Sequence, residues 1–141
     1  TIRGRFKMIE TDKFLVVDDC YNANPMSMKA SLDVLHDGEG RRVAILGDMG
    51  ELGENEIALH EEVGTHAAQC GIDVCICVGA LSVHMAEAAR KADPEFKVIY
   101  EKSRESLLEH LGDLVQEGDT ILVKASHFMQ FEEVVKALEE M

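Results

Sequence analysis

The sequence is short of basic residues: it has 14 Lys and Arg against 27 Asp and Glu, for a formal net charge of −13. Proteins that grip nucleic acid through its phosphates present a basic face, so this balance argues against a nucleic-acid partner. Small nucleotides stay open as ligands, because backbone N–H groups and one or two cations can hold a phosphate.

The chain has no CxxC pair among its four cysteines, which argues against a zinc site. Cys75 and Cys77 alternate within an apolar run, as small hydrophobes do on one face of a strand. We therefore expect reduced thiols and no metal site. No apolar stretch approaches the ~18 residues of a membrane helix, and no signal peptide opens the chain. We expect a cytoplasmic protein without a membrane partner.

The 141 residues suffice for one domain, and short apolar runs alternate with longer amphipathic segments. The spacing predicts strands over 6–10, 13–17, 43–46, 74–78, 97–100 and 121–124, and helices over 26–36, 56–70, 82–91, 103–116 and 130–140. Unbroken apolar strands are typical of burial on both faces. We predict an α/β fold: a doubly wound, mostly parallel, Rossmann-like sheet of about six strands with an opening hairpin and helices on both faces.

Ligands of such folds bind beyond the carboxyl ends of the strands, and three loops expected there are unusual. The first loop, residues 18–25, carries two acids followed by Tyr21, Asn22, Asn24 and Pro25. One alternative is a plain turn in which Asn24 caps the next helix and Pro25 takes its first position, and for Asn24 alone we favour it. Capping requires neither the acids nor Tyr21 and Asn22, so the loop as a whole indicates a ligand site.

The second loop, residues 47–54, contains three glycines, which allow a close backbone approach to a ligand or positive φ angles. A flexible, solvated loop is the alternative. It is not a phosphate-binding GxxxxGK[ST] loop, because Glu54 and Asn55 stand where Lys and Ser or Thr are required. No GxGxxG signals a dinucleotide site either. His60, on the following helix, is a candidate to face the same crevice, although we favour the opposite orientation.

The third loop, residues 124–127, places Lys124, Ser126 and His127 after the last strand. A lysine in this position can meet a phosphate or a carboxylate. A surface lysine and an N-cap serine are the ordinary alternative. Position favours the functional interpretation, because all three loops should converge on one edge of the sheet.

Several segments together resemble a known family. VDDCYNANP at 17–25, AILGDM at 44–49 with ELG at 51–53, and LVKASH at 122–127 followed by EEVV at 132–135 occur in this order. They resemble the DDSYNANP, LGDMxELG…H and LVKGSxxM…EEVV motifs in the last domain of the bacterial D-alanyl-D-alanine-adding Mur ligases. GRF at 4–6 resembles that family's junction with the central domain. Cys20 replaces the usual serine, Ala125 the usual glycine, and Phe128 a residue that is often small.

The resemblance implies that residues 1–141 are a single Mur ligase C-terminal domain, with 1–5 as an interdomain connection and the central ATPase and N-terminal UDP-binding domains absent. The implied partners are UDP-N-acetylmuramoyl-tripeptide, D-alanyl-D-alanine and the central domain, which should hold most of the ATP and Mg²⁺. The implied reaction joins dipeptide to tripeptide through an acyl phosphate, in the bacterial cytoplasm, during peptidoglycan precursor synthesis. This domain would close over ATP as a lid, and alone it should be inactive.

The resemblance also assigns roles to residues of this sequence. Asp19 and Asn22 should face the nucleotide, and Arg5 should touch its phosphates. Asp48 and Ser126 should meet the incoming dipeptide, and Lys124 either ligand. No residue is identified as a certain catalytic group. The secondary candidates for ligand contact are Tyr21, Asn24, His60 and His127.

Two other functions compete with this interpretation. A phospho-receiver domain would use Asp18 and Asp19 as its acid pair, Asp48 as phosphoacceptor and Lys124 as its lysine. It fits poorly, because the acid pair follows a second strand and no Pro follows Lys124. A non-catalytic nucleotide-binding module is the other alternative, and it would bind ATP tightly without help.

Overall fold

A computed structural model describes residues 7–141, and within that range it shows six strands and five α-helices. Its doubly wound, mostly parallel sheet confirms the predicted fold class. Arg5 and the first residue of the predicted strand 6–10 lie outside the described residues. The strands are β1 Lys7–Glu10, β2 Leu15–Asp19, β3 Arg42–Gly47, β4 Val74–Val78, β5 Lys97–Glu101 and β6 Thr120–Lys124. The helices are α1 Pro25–His36, α2 Glu56–Gln69, α3 Ser82–Ala92, α4 Arg104–Leu114 and α5 Glu132–Glu139, with 3₁₀ turns at Gly53–Asn55 and His127–Met129.

The strand order across the sheet is β1-β2-β6-β3-β4-β5. β1 and β2 form the antiparallel opening hairpin, and every other neighbouring pair is parallel. β6 lies between β2 and β3, where Lys124 pairs in register with Asp19 on one side and Leu46 on the other. The three unusual loops therefore leave three adjacent strands at the same edge.

Two hydrophobic cores lie on the two faces of this sheet. Alternate residues of β4 enter different cores: Val74, Ile76 and Val78 pack with α4 and α5, whereas Cys75 and Cys77 pack with α1, α2 and α3. All five side chains are at most 2% exposed. Cys75 and Cys77 thus lie on one face of a buried strand, as the sequence predicts.

Most predicted boundaries agree with the structure to within one residue, and three elements differ by two residues at one end or both. β2 begins at Leu15 rather than residue 13, because the Thr11 hydroxyl accepts hydrogen bonds from the backbone N–H groups of Lys13 and Phe14 and closes a turn. α5 begins at Glu132 rather than residue 130, because Gln130 has a left-handed φ of 54° that no α-helix accommodates. α4 ends at Leu114, two residues before the predicted end.

Within residues 7–141, no helix has the length and apolar character that crossing a membrane requires.

Candidate functional site

The three loops meet in a crevice at the carboxyl ends of β2, β6 and β3. Ser126, at 7% exposure, connects them. Its hydroxyl accepts a hydrogen bond from the Gly50 backbone N–H at 2.8 Å and donates to the Ala23 carbonyl at 3.5 Å. Its own backbone N–H donates to the Asp48 carbonyl at 3.1 Å. One residue of the third loop thus fixes the spacing of the first and second loops.

Asp19 and Lys124 form a buried ion pair beneath the crevice. The lysine Nζ donates to Asp19 Oδ2 at 2.6 Å and to the Asn22 carbonyl at 3.1 Å, and the Ser31 hydroxyl donates to the same carboxylate oxygen at 2.7 Å. Asp19 is 4% exposed and Lys124 is 2% exposed. The sequence predicts that both groups face ligands, whereas the structure directs their charges at each other. The pair holds the first loop against β6, since a buried charge requires a partner.

The first loop divides into capping residues and exposed residues. Asn24 Oδ1 accepts from the Ser27 backbone N–H at 2.8 Å, while Ser27 Oγ accepts from the Asn24 backbone N–H at 3.1 Å. This reciprocal capping box, with Pro25 at the first helical position, starts α1. Asn24 therefore serves the helix. Tyr21, at 60% exposure, and Asn22 are also exposed.

Cys20, which replaces the family's serine, is buried under this loop. Its thiol lies 3.7 Å from the Val123 carbonyl, to which it donates. Burial raises the pKa of the Cys20 thiol far above its usual range, and the nearby Asp18 carboxylate acts in the same direction. The thiol is consequently neutral and packs as a small apolar group rather than as a nucleophile.

His60 supports the second loop from below. Its Nε2 accepts a hydrogen bond from the Met49 backbone N–H at 3.0 Å, so Nδ1 carries the proton and donates to the Glu56 carbonyl at 2.7 Å. The side chain is fully buried. His60 therefore does not face the crevice, because both ring nitrogens are engaged in holding the loop on α2.

Asp48 directly follows β3 and is 6% exposed, and its side chain reaches the N-terminus of α3. Its Oδ1 accepts from the backbone N–H of Ser82 at 2.8 Å and from the Ser82 hydroxyl at 2.7 Å. A carboxylate at a helix N-terminus is favoured by the helix dipole. A Cβ added to Gly79, which has a φ of 118°, would lie 2.5 Å from this carboxylate. Only glycine therefore leaves room for the Asp48 side chain here.

A second depression, the side cleft, has a volume of about 370 Å³. Asp48 of the second loop lines it, and so does Phe128, whose ring lies against that loop: a Cβ on Gly50 would come within 2.9 Å of it. The cleft is lined by Asp48, Gly79, Ala80, Lys102, Ser103, Arg104, Glu105, Phe128, Met129 and Gln130.

Sequence reasoning missed the residues that the segment between β5 and α4 supplies to this cleft. Lys102, Ser103 and Arg104 form no motif, and only Ser103 stands out, as the cap of α4. Their one signal is position, since they directly follow the carboxyl end of a parallel strand. His127, by contrast, is a candidate from the sequence but lies at the surface, with its side chain 81% exposed and 3.8 Å from the Glu132 carboxylate.

In the described part of the chain, no three His, Cys, Asp or Glu side chains are placed to hold a metal ion together. Of the polar residues in the first loop, Asn22 is exposed, and its amide suits a nucleotide base or a peptide better than a cation.

Comparison with known proteins gives a family match along most of the chain. The family described as "Mur ligase, glutamate ligase domain" matches residues 4–127. A UDP-N-acetylmuramoyl-tripeptide–D-alanyl-D-alanine ligase from Escherichia coli (strain K12) is 41% identical over 142 residues, which cover 99% of this chain. The ligase of the same name from Bacillus subtilis (strain 168) is 37% identical over 139 residues, which cover 96% of it. The chain spans about 30% of the length of these relatives.

Solved structures agree with the sequence comparison. A crystal structure of MurF from Acinetobacter baumannii superposes with a TM-score of 0.89 at 30% identity, over 99% of this chain and 31% of that one. MurF ligase from Thermotoga maritima, crystallised in complex with ADP, superposes with a TM-score of 0.79 at 30% identity, again over 99% of this chain and 31% of that one.

Proposed function

This chain belongs to the Mur ligase family, and from that premise we propose that it is the C-terminal domain of a ligase that joins D-alanyl-D-alanine to UDP-N-acetylmuramoyl-tripeptide. One observation carries the proposal. The residues of three separated motifs, at 18–25, 47–54 and 124–127, meet at one edge of the sheet, where Ser126 bonds to backbone groups of the other two loops. Relatives that bear this ligase name match nearly the whole chain.

In the proposed reaction, the terminal carboxylate of the tripeptide takes the γ-phosphoryl group of ATP. The amine of D-alanyl-D-alanine then attacks the acyl phosphate, and a new amide, ADP and phosphate result. Such chemistry depends on positioning and on neutralising charge in the transferring phosphoryl group, to which Mg²⁺ contributes. The acyl phosphate hydrolyses if water reaches it, so a domain that closes over it protects the intermediate.

The exposed part of the first loop is the proposed nucleotide wall. The Tyr21 ring, at 60% exposure, offers a stacking surface, and the exposed Asn22 amide offers both a donor and an acceptor. The buried Asp19–Lys124 pair supports them, because Lys124 holds the Asn22 carbonyl. We assign Asp19 and Lys124 a positioning role here, and Arg5 a phosphate contact as the resemblance implies. ADP in the Thermotoga maritima protein supports nucleotide use by this family.

The second and third loops form the proposed dipeptide wall, with Ser126 and Asp48 as its main polar groups. Ser126 fixes the Gly50 backbone, and Asp48 presents a buried carboxylate beside it. Three large apolar or aromatic residues in or next to these loops, Tyr21, Met26 and Phe128, are 60%, 81% and 60% exposed. We propose that the central domain of the ligase covers them when this domain closes as a lid, in the bacterial cytoplasm.

The reaction product tests this proposal. The full-length protein, incubated with ATP, UDP-N-acetylmuramoyl-tripeptide and D-alanyl-D-alanine, should form a species heavier than the tripeptide substrate by one dipeptide less one water, as measured by mass spectrometry. The dipeptide whose amine is acetylated serves as the control, because it has no nucleophile and should give no such species. If the unmodified dipeptide gives none either, the proposed function is wrong.

A further inference from the structure

We propose that the side cleft binds the carboxylate end of the incoming dipeptide through Lys102 and Arg104. Both residues follow β5 and line the cleft together with the amino end of α4. The inference rests on the ligase function proposed above. It adds a specificity site outside the three motif loops.

The side cleft has the size and the location that such a site requires. Its volume of about 370 Å³ lies within the range of small-molecule sites, roughly 300 to 1,000 Å³. It opens beside the crevice, since Asp48 belongs both to the second loop and to the cleft wall. An extended dipeptide is about 7 Å long. In the proposed complex, a dipeptide whose carboxylate lies at Lys102 and Arg104 points its amine towards Asp48, which lines the same cleft.

The charges of the lining favour a zwitterion. Lys102 and Arg104 are balanced by Asp48 and Glu105, so the cleft carries two charges of each sign. A nucleotide phosphate, with its multiple negative charges, fits a site with excess positive charge better than this one. A short peptide with a free amine and a free carboxylate matches separated charges of both signs.

Both cations retain hydrogen-bonding capacity. Lys102 is exposed, and it has neither a hydrogen bond nor an ion pair to any other residue in the range 7–141. Arg104 donates through its terminal nitrogens to the Met129 carbonyl, Gln130 Oε1 and the Glu105 carboxylate. Its Nε, however, is a buried donor for which the described residues provide no acceptor. Buried donors in native proteins nearly always have a partner, and in the proposed complex the dipeptide carboxylate supplies it.

Steady-state kinetics of the full-length enzyme test the assignment. We expect Lys102→Met to raise the KM for D-alanyl-D-alanine about tenfold, because it removes a hydrogen bond between two charged groups, while kcat and the KM for ATP stay unchanged. Arg104→Lys, which retains the charge but loses the Nε donor, should raise the same KM. Lys97→Met is the matched control, since Lys97 is an exposed lysine at the opposite end of β5, and it should change nothing.

The C-terminal amide of the dipeptide provides a second arm. For this amide, the KM of the wild-type enzyme should be raised about as much as Lys102→Met raises the KM for the unmodified dipeptide. With the amide as substrate, Lys102→Met should raise the KM little further. An unchanged KM for the dipeptide in both variants would overturn the inference. If turnover in these variants still required the dipeptide, the proposed ligase function would stand. A raised KM for ATP instead would show that the cleft takes a phosphate. Turnover that needs no dipeptide would refute the proposed function itself.

Discussion

At the scale of single residues, the polar side chains around the crevice either hold its shape or reach its surface. Asp19, Asn24, His60 and Lys124 are occupied by partners within the chain, whereas Asn22 is exposed. Residue type and motif position suggested these polar groups as a site. They did not reveal which way each side chain points, because orientation depends on partners distant in sequence, such as Ser31 for Asp19.

The buried ion pair gives a stability prediction. Lys124→Met should reduce the free energy of unfolding by about 3–5 kcal/mol, because it leaves the Asp19 carboxylate buried without its cation. Adding Asp19→Leu to this variant should restore much of the loss, because no buried charge then remains. Urea unfolding of the chain, followed by circular dichroism, measures both. Equal stability of the single variant and the wild type would mean that the pair is solvated.

Asn22 gives a prediction about activity. Asn22→Ala should raise the KM for ATP in the full-length enzyme about tenfold, since it removes an exposed amide from the proposed nucleotide wall. It should leave the unfolding midpoint almost unchanged. Asn55→Ala is the control, because Asn55 is also exposed and, within the part of the chain described, makes no side-chain capping bond to α2. Equal ATP kinetics in the two variants would remove Asn22 from the site.

At the scale of elements, periodicity and strand position accounted for most of what the structure shows. Apolar runs located the strands, and the rule that ligands bind beyond their carboxyl ends brought three loops to one edge. The sequence does not identify the segment after β5 as part of a site, because Lys102 and Arg104 line a cleft only once α4 and the 3₁₀ turn His127–Met129 have folded beside them. The sequence also predicts Gln130 to be helical, whereas in the structure its left-handed φ separates that turn from α5.

The contact between α2 and α3 gives a packing prediction. A Cβ on Gly64 would lie only 2.0 Å from the Met85 carbonyl oxygen, so Gly64→Ala forces the two helix backbones apart. We expect a loss of about 1–3 kcal/mol in unfolding free energy. Gly112→Ala in α4 is the matched control: no described atom lies within 4 Å of its added Cβ, and alanine favours a helix by about 0.5–1 kcal/mol. Thermal unfolding that ranked the two variants in the opposite order would contradict the close helix contact.

At the scale of the whole molecule, the chain offers one wall of a site and spans about 30% of the length of its curated relatives. The second loop lacks the Lys-Ser/Thr of a phosphate loop, and we propose that the central domain of the ligase binds the triphosphate instead. Sequence alone suggested this division of labour through the family resemblance. It gave no information about the relative arrangement of the domains, because the contacts that determine it involve residues outside this chain.

ATP affinity tests this division of labour. Isothermal titration calorimetry of the 141-residue chain should detect weak binding or none, whereas the full-length enzyme should bind ATP at least about a hundredfold more tightly. A sub-micromolar Kd for the isolated chain would favour a self-sufficient nucleotide-binding module over a ligase domain.

Phosphate release by the full-length enzyme tests the central claim most directly, when ATP, UDP-N-acetylmuramoyl-tripeptide and D-alanyl-D-alanine are omitted one at a time. The ligase function predicts sustained release only when all three are present, because the acyl phosphate then has an amine to react with and is shielded from water. Sustained release without D-alanyl-D-alanine, or no release with all three, would contradict it.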